Sequence, residues 1–205
     1  MKIKNAFVSL VFFSICFGIG NAPAADSTTN AEAGVATSAI DTDDHTPEQR
    51  VAIKDFAFEG LKIGATYSEI KAKYPDIEFD KKNSDSKVGL AVWDSYSPKT
   101  ADVVTFSLFN GKLYEIRVMY FVKTLNKIGG STTVYDKLAA KYGKEDGNSD
   151  SENYLFDYTW QFYSVDRYVN FFAPKKTGDA VLIVADKEAS RKLTEKKKAN
   201  ADVGF

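Results

Sequence analysis

Residues able to do covalent or metal chemistry are few in this chain, and their surroundings do little to support it. Its 205 residues include one cysteine and one histidine. Cys16 lies inside the apolar run 6–19, and removal of that run leaves no thiolate for nucleophilic attack, metal binding or a disulfide. His45 follows Asp41-Thr42-Asp43-Asp44, a row of metal-capable ligands. Nothing around them fixes a coordination geometry, so a solvated acidic linker is the expected state. Asp76, Glu78 and Asp80 alternate with Ile77 and Phe79 and would point to one side of a strand. A carboxylate hydrolase needs two carboxyls across a cleft, one with a raised pKa. The glycines of Ile128-Gly129-Gly130-Ser131 read as a helix start and not as a phosphate cradle. The inventory therefore points away from an enzyme and gives no cofactor or metal.

Aromatic surface is plentiful. Fifteen phenylalanines and eleven tyrosines exceed what two helix stripes and one sheet face consume. In 154–163, Phe156, Tyr158, Trp160 and Phe162 share one parity and form the expected core face, leaving Gln161 and Tyr163 outside. On the following strand Val169 and Phe171 go inward, while Tyr168, Asn170 and Phe172 face out. With Glu115, Arg117 and Met119 these outward residues make a mixed polar and aromatic face, the composition favoured at protein interfaces. The competing reading is that loops or the C-terminal tail cover it.

The elements that must position this face start from 103–121, which reads as a β-hairpin around Asn110-Gly111. A two-residue loop would pair Leu108 with Leu113 and set Phe106 beside Glu115, mixing core and solvent side chains. A three-residue loop, with Gly111 as a left-handed bulge, instead pairs Phe106 with Tyr114 and Val104 with Ile116, and puts Ser107, Thr105, Glu115 and Arg117 on the other face. The second register is the expected one. Upstream, Thr66-Tyr67-Ser68-Glu69 has capping-box spacing, and Tyr67, Ile70 and Tyr74 form one helix stripe that Pro75 ends. A short strand at 77–79, a polar loop at 80–87 and a strand at 88–96 follow.

The pattern then begins again. Tyr135, Leu138 and Tyr142, ending at Gly143, lie over Tyr67, Ile70 and Tyr74, ending at Pro75. Residues 92–96 match 159–163, 104–106 match 169–171, and Gly111 corresponds to Gly178, all at an offset of about 67 residues. An internal duplication follows as the expectation. The fold class is α+β, with two tandem helix-plus-hairpin repeats (56–123 and 124–187) forming one continuous antiparallel sheet with both helices on one face.

Lys2, Lys4, the apolar run and Ala22-Pro23-Ala24 predict a signal peptide over 1–24. Residues 25–50, rich in Ala, Ser, Thr, Asn and Asp, predict a disordered leader, 51–190 the folded domain and 191–205 a charged tail, a frayed helix with a solvated surface. No stretch after the leader is apolar enough to span a membrane. The formal charge is −1, and cleavage would leave 25 basic against 28 acidic side chains, which argues against nucleic acid as a partner.

The helix start Ile63-Gly64-Ala65-Thr66 with Glu69-Ile70, and the second helix at 135–143, resemble the β-lactamase-inhibitory protein fold and its single-repeat BamE/SmpA-like lipoprotein relatives. The resemblance covers roughly 56–187 and implies a non-enzymatic binding role; the inhibitors' disulfides are absent. The sequence thus predicts an exported, periplasmic or secreted, binding protein whose sheet face meets a protein or a cell-envelope component. The alternatives are a small-molecule carrier or a carboxylate hydrolase of envelope polymers.

Overall fold

The computed structural model describes residues 45–96, 100–148 and 152–202. The expected signal peptide (1–24) and most of the expected leader lie outside them. In chain order the described residues form α1 (Pro47–Lys54), β1 (Ala57–Phe58), β2 (Leu61–Lys62), α2 (Tyr67–Lys73), β3 (Glu78–Phe79), β4 (Leu90–Ser95), β5 (Val103–Phe109), β6 (Lys112–Tyr120), α3 (Val122–Lys127), α4 (Gly130–Tyr142), β7 (Gly147–Asn148), β8 (Tyr154–Phe162), β9 (Arg167–Pro174), β10 (Ala180–Asp186) and α5 (Lys187–Asp202). The class is α+β. Eight strands make one antiparallel sheet in the order β3-β4-β5-β6-β10-β9-β8-β7, and β1 and β2 form a separate small hairpin.

Alternation along the strands sorts side chains to two faces. One cross-strand row runs Trp93, Phe106, Ile116, Val184, Val169, Trp160. All but Trp93 in this row are buried, and with Val104, Val118, Phe162, Phe171 and Leu182 they form the main core. Helix residues stack on this first face: Tyr67 on Trp93 at 4.5 Å, Tyr74 on Phe106 at 5.1 Å, Tyr135 on Tyr158 at 4.5 Å and Tyr142 on Phe162 at 5.9 Å. The capping box at the start of α2 forms as its spacing predicts, Thr66 Oγ1 accepting from the Glu69 amide and the Glu69 carboxylate accepting from the Thr66 amide.

The β5–β6 hairpin departs from the expected register. Its loop has two residues, Asn110 at φ 50° and Gly111 at φ 77°, with Phe109 opposite Lys112 and Leu108 opposite Leu113. A bulge then intervenes, and Ser107 pairs with Glu115, Phe106 with Ile116 and Val104 with Val118. Tyr114 is the extra residue. The bulge absorbs the mismatch that made a two-residue loop look poor, keeping Phe106 and Ile116 on the core face and sending Tyr114 to the second face beside Phe109.

Two boundaries also need correction. The leader was expected to run disordered to residue 50, but α1 begins at Pro47 behind a capping box made by Thr46 and Gln49. His45 is buried, stacked on Phe162 at 4.1 Å, with Nδ1 3.1 Å from the Tyr142 carbonyl and Nε2 3.1 Å from the Asp146 carboxylate. Contacts with residues about a hundred positions away fix a segment that its composition alone would leave loose. The tail is likewise not wholly solvated. α5 buries Leu193 among Val88, Leu90, Val92, Phe109 and Tyr114, so the packed structure extends past residue 190.

Candidate interaction surface

The second face of the sheet is built from three cross-strand rows. Val92, Ser107, Glu115, Ala185, Tyr168 and Gln161 form the first. Asp94, Thr105, Arg117, Ile183, Asn170 and Thr159 form the second. Val103, Met119, Val181, Phe172 and Asp157 form the third. Seven of the eight residues singled out in the sequence therefore share this surface: Glu115, Arg117, Met119, Gln161, Tyr168, Asn170 and Phe172. Tyr163 does not. The chain leaves the strand plane in the short helical turn Tyr163–Val165, where the Tyr163 ring is half exposed with Lys187 Nζ 3.6 Å above it.

The surface is more enclosed than alternation alone suggests. Val181, Ile183 and Ala185 form a buried apolar cluster edged by Tyr168 and Phe172, and Tyr154 meets Phe172 edge-on at 5.5 Å. Side-chain exposure is 13% for Glu115 and 23% for Arg117, whose Nη2 lies 3.1 Å from Glu115 Oε1. This pair leaves the middle of the face near neutral. Burial pushes the Tyr168 phenol up, and the Glu115 carboxylate adds to the shift. Asn170 Nδ2 donates to Asp157 Oδ1 at 2.7 Å and to Thr159 Oγ1 at 3.0 Å. α5 covers one end, with Leu193 over Val92 and Tyr114 and Lys196 Nζ 5.1 Å from the Phe109 ring centre. At that end the tail covers the face, as the competing sequence reading holds.

Sequence reasoning placed Thr105 on this face but missed Asp94, Asp157 and Thr159, which become neighbours of the predicted residues only once strand pairing is known. Burial raises the Asp94 carboxyl, against the Thr105 hydroxyl that donates to Oδ1 at 2.6 Å and lowers it. A raised pKa means that the folded state favours the neutral acid, so the group supports folding at acid pH and loses that support as pH rises through its folded pKa. Asp94→Asn, whose carboxamide oxygen still accepts from Thr105, is expected to raise Tm at pH 7 by about 1–2 °C, a fraction of a kcal/mol. The gain should vanish near pH 3, where wild-type Asp94 is protonated in both states. Thermal scans at the two pH values check this, and an equal gain at both would refute the assignment.

On the first face, a cavity of about 70 Å³ lies between the start of α4 and β8, lined by Ser131, Thr132, Tyr135, Phe156 and Tyr158. Among the described residues no three His, Cys, Asp or Glu side chains gather as a metal site, and no helix is long and apolar enough to cross a membrane.

No protein-family model matches the chain, and no curated protein matches it. Among solved structures, the crystal structure of a DUF4309 family protein (YjgB) from Bacillus subtilis is similar at 16% identity and a TM-score of 0.38, over 68% of this chain and 93% of that one. Likeness at that level transfers neither fold nor function.

Proposed function

We propose that this chain is an exported, non-enzymatic binding protein that engages a protein or another cell-envelope component through the second face of its sheet. One observation carries the reading: seven of the eight side chains named from the sequence, four of them of interface-enriched types (Arg117, Met119, Tyr168 and Phe172), share one partly exposed face around the Glu115–Arg117 pair. The N-terminal run with Lys2, Lys4 and Ala22-Pro23-Ala24 supports export. The resemblance to the β-lactamase-inhibitory protein fold and its BamE/SmpA-like relatives supports a role without catalysis.

The same reading holds that the domain arose by duplication, each copy laying its helix on the first face. Two features support it. The core row has a tryptophan at either end, Trp93 and Trp160, with Ile116 and Val184 meeting where β6 joins β10. The helix tyrosines Tyr67 and Tyr135 also lie 4.5 Å from Trp93 and 6.1 Å from Trp160 respectively. The copies differ in register by two residues, since Trp93 pairs with Phe106 but Trp160 with Val169, which shifts the partner while keeping the face. The cavity beside α4 is what favours the carrier alternative. At about 70 Å³ it is well short of the roughly 300–1,000 Å³ of sites that enclose a whole small molecule.

Recovery of partners from envelope extract tests the reading. Met119→Asp puts a charge into the third row of the face and should reduce partner recovery several-fold, whereas Tyr163→Ser, half exposed and off the face, should leave recovery unchanged and hold Tm within about 1–2 °C. Tyr168→Ser strips the edge of the Val181–Ile183–Ala185 cluster and should cost about 2 kcal/mol, so its loss of binding alone would not be informative. Unchanged recovery with Met119→Asp, or a loss with Tyr163→Ser as large as that with Met119→Asp, would remove the second face from consideration.

A further inference from the structure

The end of the sheet where β6 finishes carries exposed apolar side chains among lysines. Phe121 is 44% exposed, Val122 43% and Ile128 36%, three large apolar residues at the two ends of α3. Only Leu125 of this helix enters the core. Phe121 is the N-cap, a position where Ser, Thr, Asp or Asn would bond the first amides. Aspartates from two other segments do so instead. Asp102 Oδ2 accepts from the Phe121 amide at 2.8 Å and its Oδ1 from the Thr124 hydroxyl at 2.8 Å, while Asp179 Oδ1 accepts from the Val122 amide at 3.1 Å. The aromatic ring thus takes the place of a capping side chain and gains little packing in return.

The turn between β9 and β10 lies against the same helix, since a Cβ on Gly178 would come within 3.3 Å of Val122. Residues 121–128 and 174–179 together hold four lysines, Lys123, Lys127, Lys175 and Lys176, and one carboxylate, that of Asp179. All four lysines are exposed, and among the described residues none of them forms an ion pair.

These features select a surface by chemistry. Half-exposed apolar groups gain by leaving water, which a purely acidic peptide does not offer them. Lysines without a carboxylate gain by meeting negative charge, which a bare hydrocarbon surface does not offer. A protein partner covers about 800 Å² on each side, and three side chains around a six-residue helix fall short of that. An anionic bilayer supplies both terms over a small area. Apolar tips enter the headgroup boundary by about 5–10 Å, and lysine stems lie beside them with their ammonium groups at the lipid phosphates.

We propose that this end of the sheet docks on an anionic lipid surface, with Phe121, Val122 and Ile128 entering the headgroup boundary and the four lysines meeting lipid phosphates. The patch adjoins the third row of the second face and shares with the proposed function only the exported location. It needs no partner protein, so vesicle binding can fail while Met119→Asp still reduces partner recovery, and the reverse holds.

The experiment measures co-sedimentation of residues 25–205, which lack the apolar run 6–19, with vesicles of equimolar phosphatidylglycerol and phosphatidylcholine. Pure phosphatidylcholine vesicles and polyglutamate are the comparison ligands. Binding to the anionic vesicles is expected, weakened at least tenfold on pure phosphatidylcholine and strongly reduced in about 0.5 M salt. The double variant Lys175→Gln, Lys176→Gln should weaken it about tenfold to thirtyfold, and Phe121→Ser about threefold to tenfold. Both lysines are exposed, so the double variant keeps its melting temperature and its loss is one of docking. Lys196→Gln with Lys197→Gln, in α5 beside Asn110 at the other end of β6, should leave binding unchanged. An equal loss there would overturn the location. Equal binding to pure phosphatidylcholine would overturn the role of charge, and unchanged binding by Phe121→Ser would overturn insertion. Displacement from the vesicles by polyglutamate at equal charge would overturn the lipid in favour of an acidic protein, and no binding to the anionic vesicles would overturn the site.

Discussion

Trp160→Ala is expected to lower Tm by about 10–20 °C, the effect of roughly 4–6 kcal/mol in a domain of this size. Trp160 is fully buried, pairs with Val169 in the core row and lies 6.1 Å from Tyr135 and 6.5 Å from Tyr158. Removing such a ring from a core that can relax only partly costs about 3–5 kcal/mol. Its Nε1 also donates to the Gly143 carbonyl at 2.8 Å, and stranding that acceptor adds about 1 kcal/mol. Trp93, at the other end of the same row, is only half-buried, between Tyr67 and Phe79. Trp93→Ala should therefore cost well under half as much. Thermal unfolding followed by circular dichroism measures both, and equal losses would mean that the two ends of the sheet are packed alike, contrary to the burial seen here. Trp160→Phe separates the terms, keeping most of the ring volume and losing the hydrogen bond.

That asymmetry shows what the sequence could and could not reveal. Period-two alternation placed Trp160, Phe162, Val169 and Phe171 on the core face, because a strand's geometry is local and each residue's face follows from its neighbour's. Pairing register is not local. The bulge at Tyr114 exists because the body of β6 must keep Ile116 and Val118 opposite Phe106 and Val104, a demand set across strands and invisible in the turn residues. The same limit applies to the second face. Parity gathered Glu115, Arg117, Met119, Tyr168, Asn170 and Phe172 correctly, but their neighbours Asp94 and Asp157 depend on the β4–β5 and β8–β9 registers. Tyr163 continues the strand alternation on paper, yet the chain turns before reaching it.

The helix missed at the N-terminal end, and the packing missed in the C-terminal helix, have a different cause. Thr46-Pro47-Glu48-Gln49 carries both a capping box and a proline at the first turn, which are readable signals. Composition alone hides them, because what stabilises α1 is Ile53 in the core and His45 against Phe162. In α5, Leu193 is a single apolar anchor among charges. One leucine carries no periodicity. Its role appears only when the bulge and the β4–β5 pairing bring Val92, Phe109 and Tyr114 to the same corner.

Gly143→Ala is the substitution expected to come next in cost, about 2–4 kcal/mol, because three constraints meet at one atom that glycine lacks. Gly143 closes α4 with φ 87° and ψ −173°, a conformation that L side chains avoid at a cost of about 1–3 kcal/mol. A Cβ there would overlap the carboxamide of Gln49. Gln49 cannot simply swing away, since its Oε1 accepts from the Thr46 amide at 2.6 Å and holds the start of α1. Nor can Gly143 retreat, because its amide donates to the Ala139 carbonyl at 2.8 Å while its own carbonyl receives Trp160 Nε1. Gly111→Ala is the matched control, also at positive φ but with open space around the added methyl, and should cost only about 1 kcal/mol. The overlap is isolated by a double-mutant cycle with Gln49→Ala. Removing the carboxamide first should reduce the cost of Gly143→Ala by about 1 kcal/mol, leaving the backbone strain in place. A cycle that closes with no coupling would mean that α1 does not pack against the end of α4 as seen here, and the anchoring of the chain's entry by His45 and Gln49 would have to be abandoned.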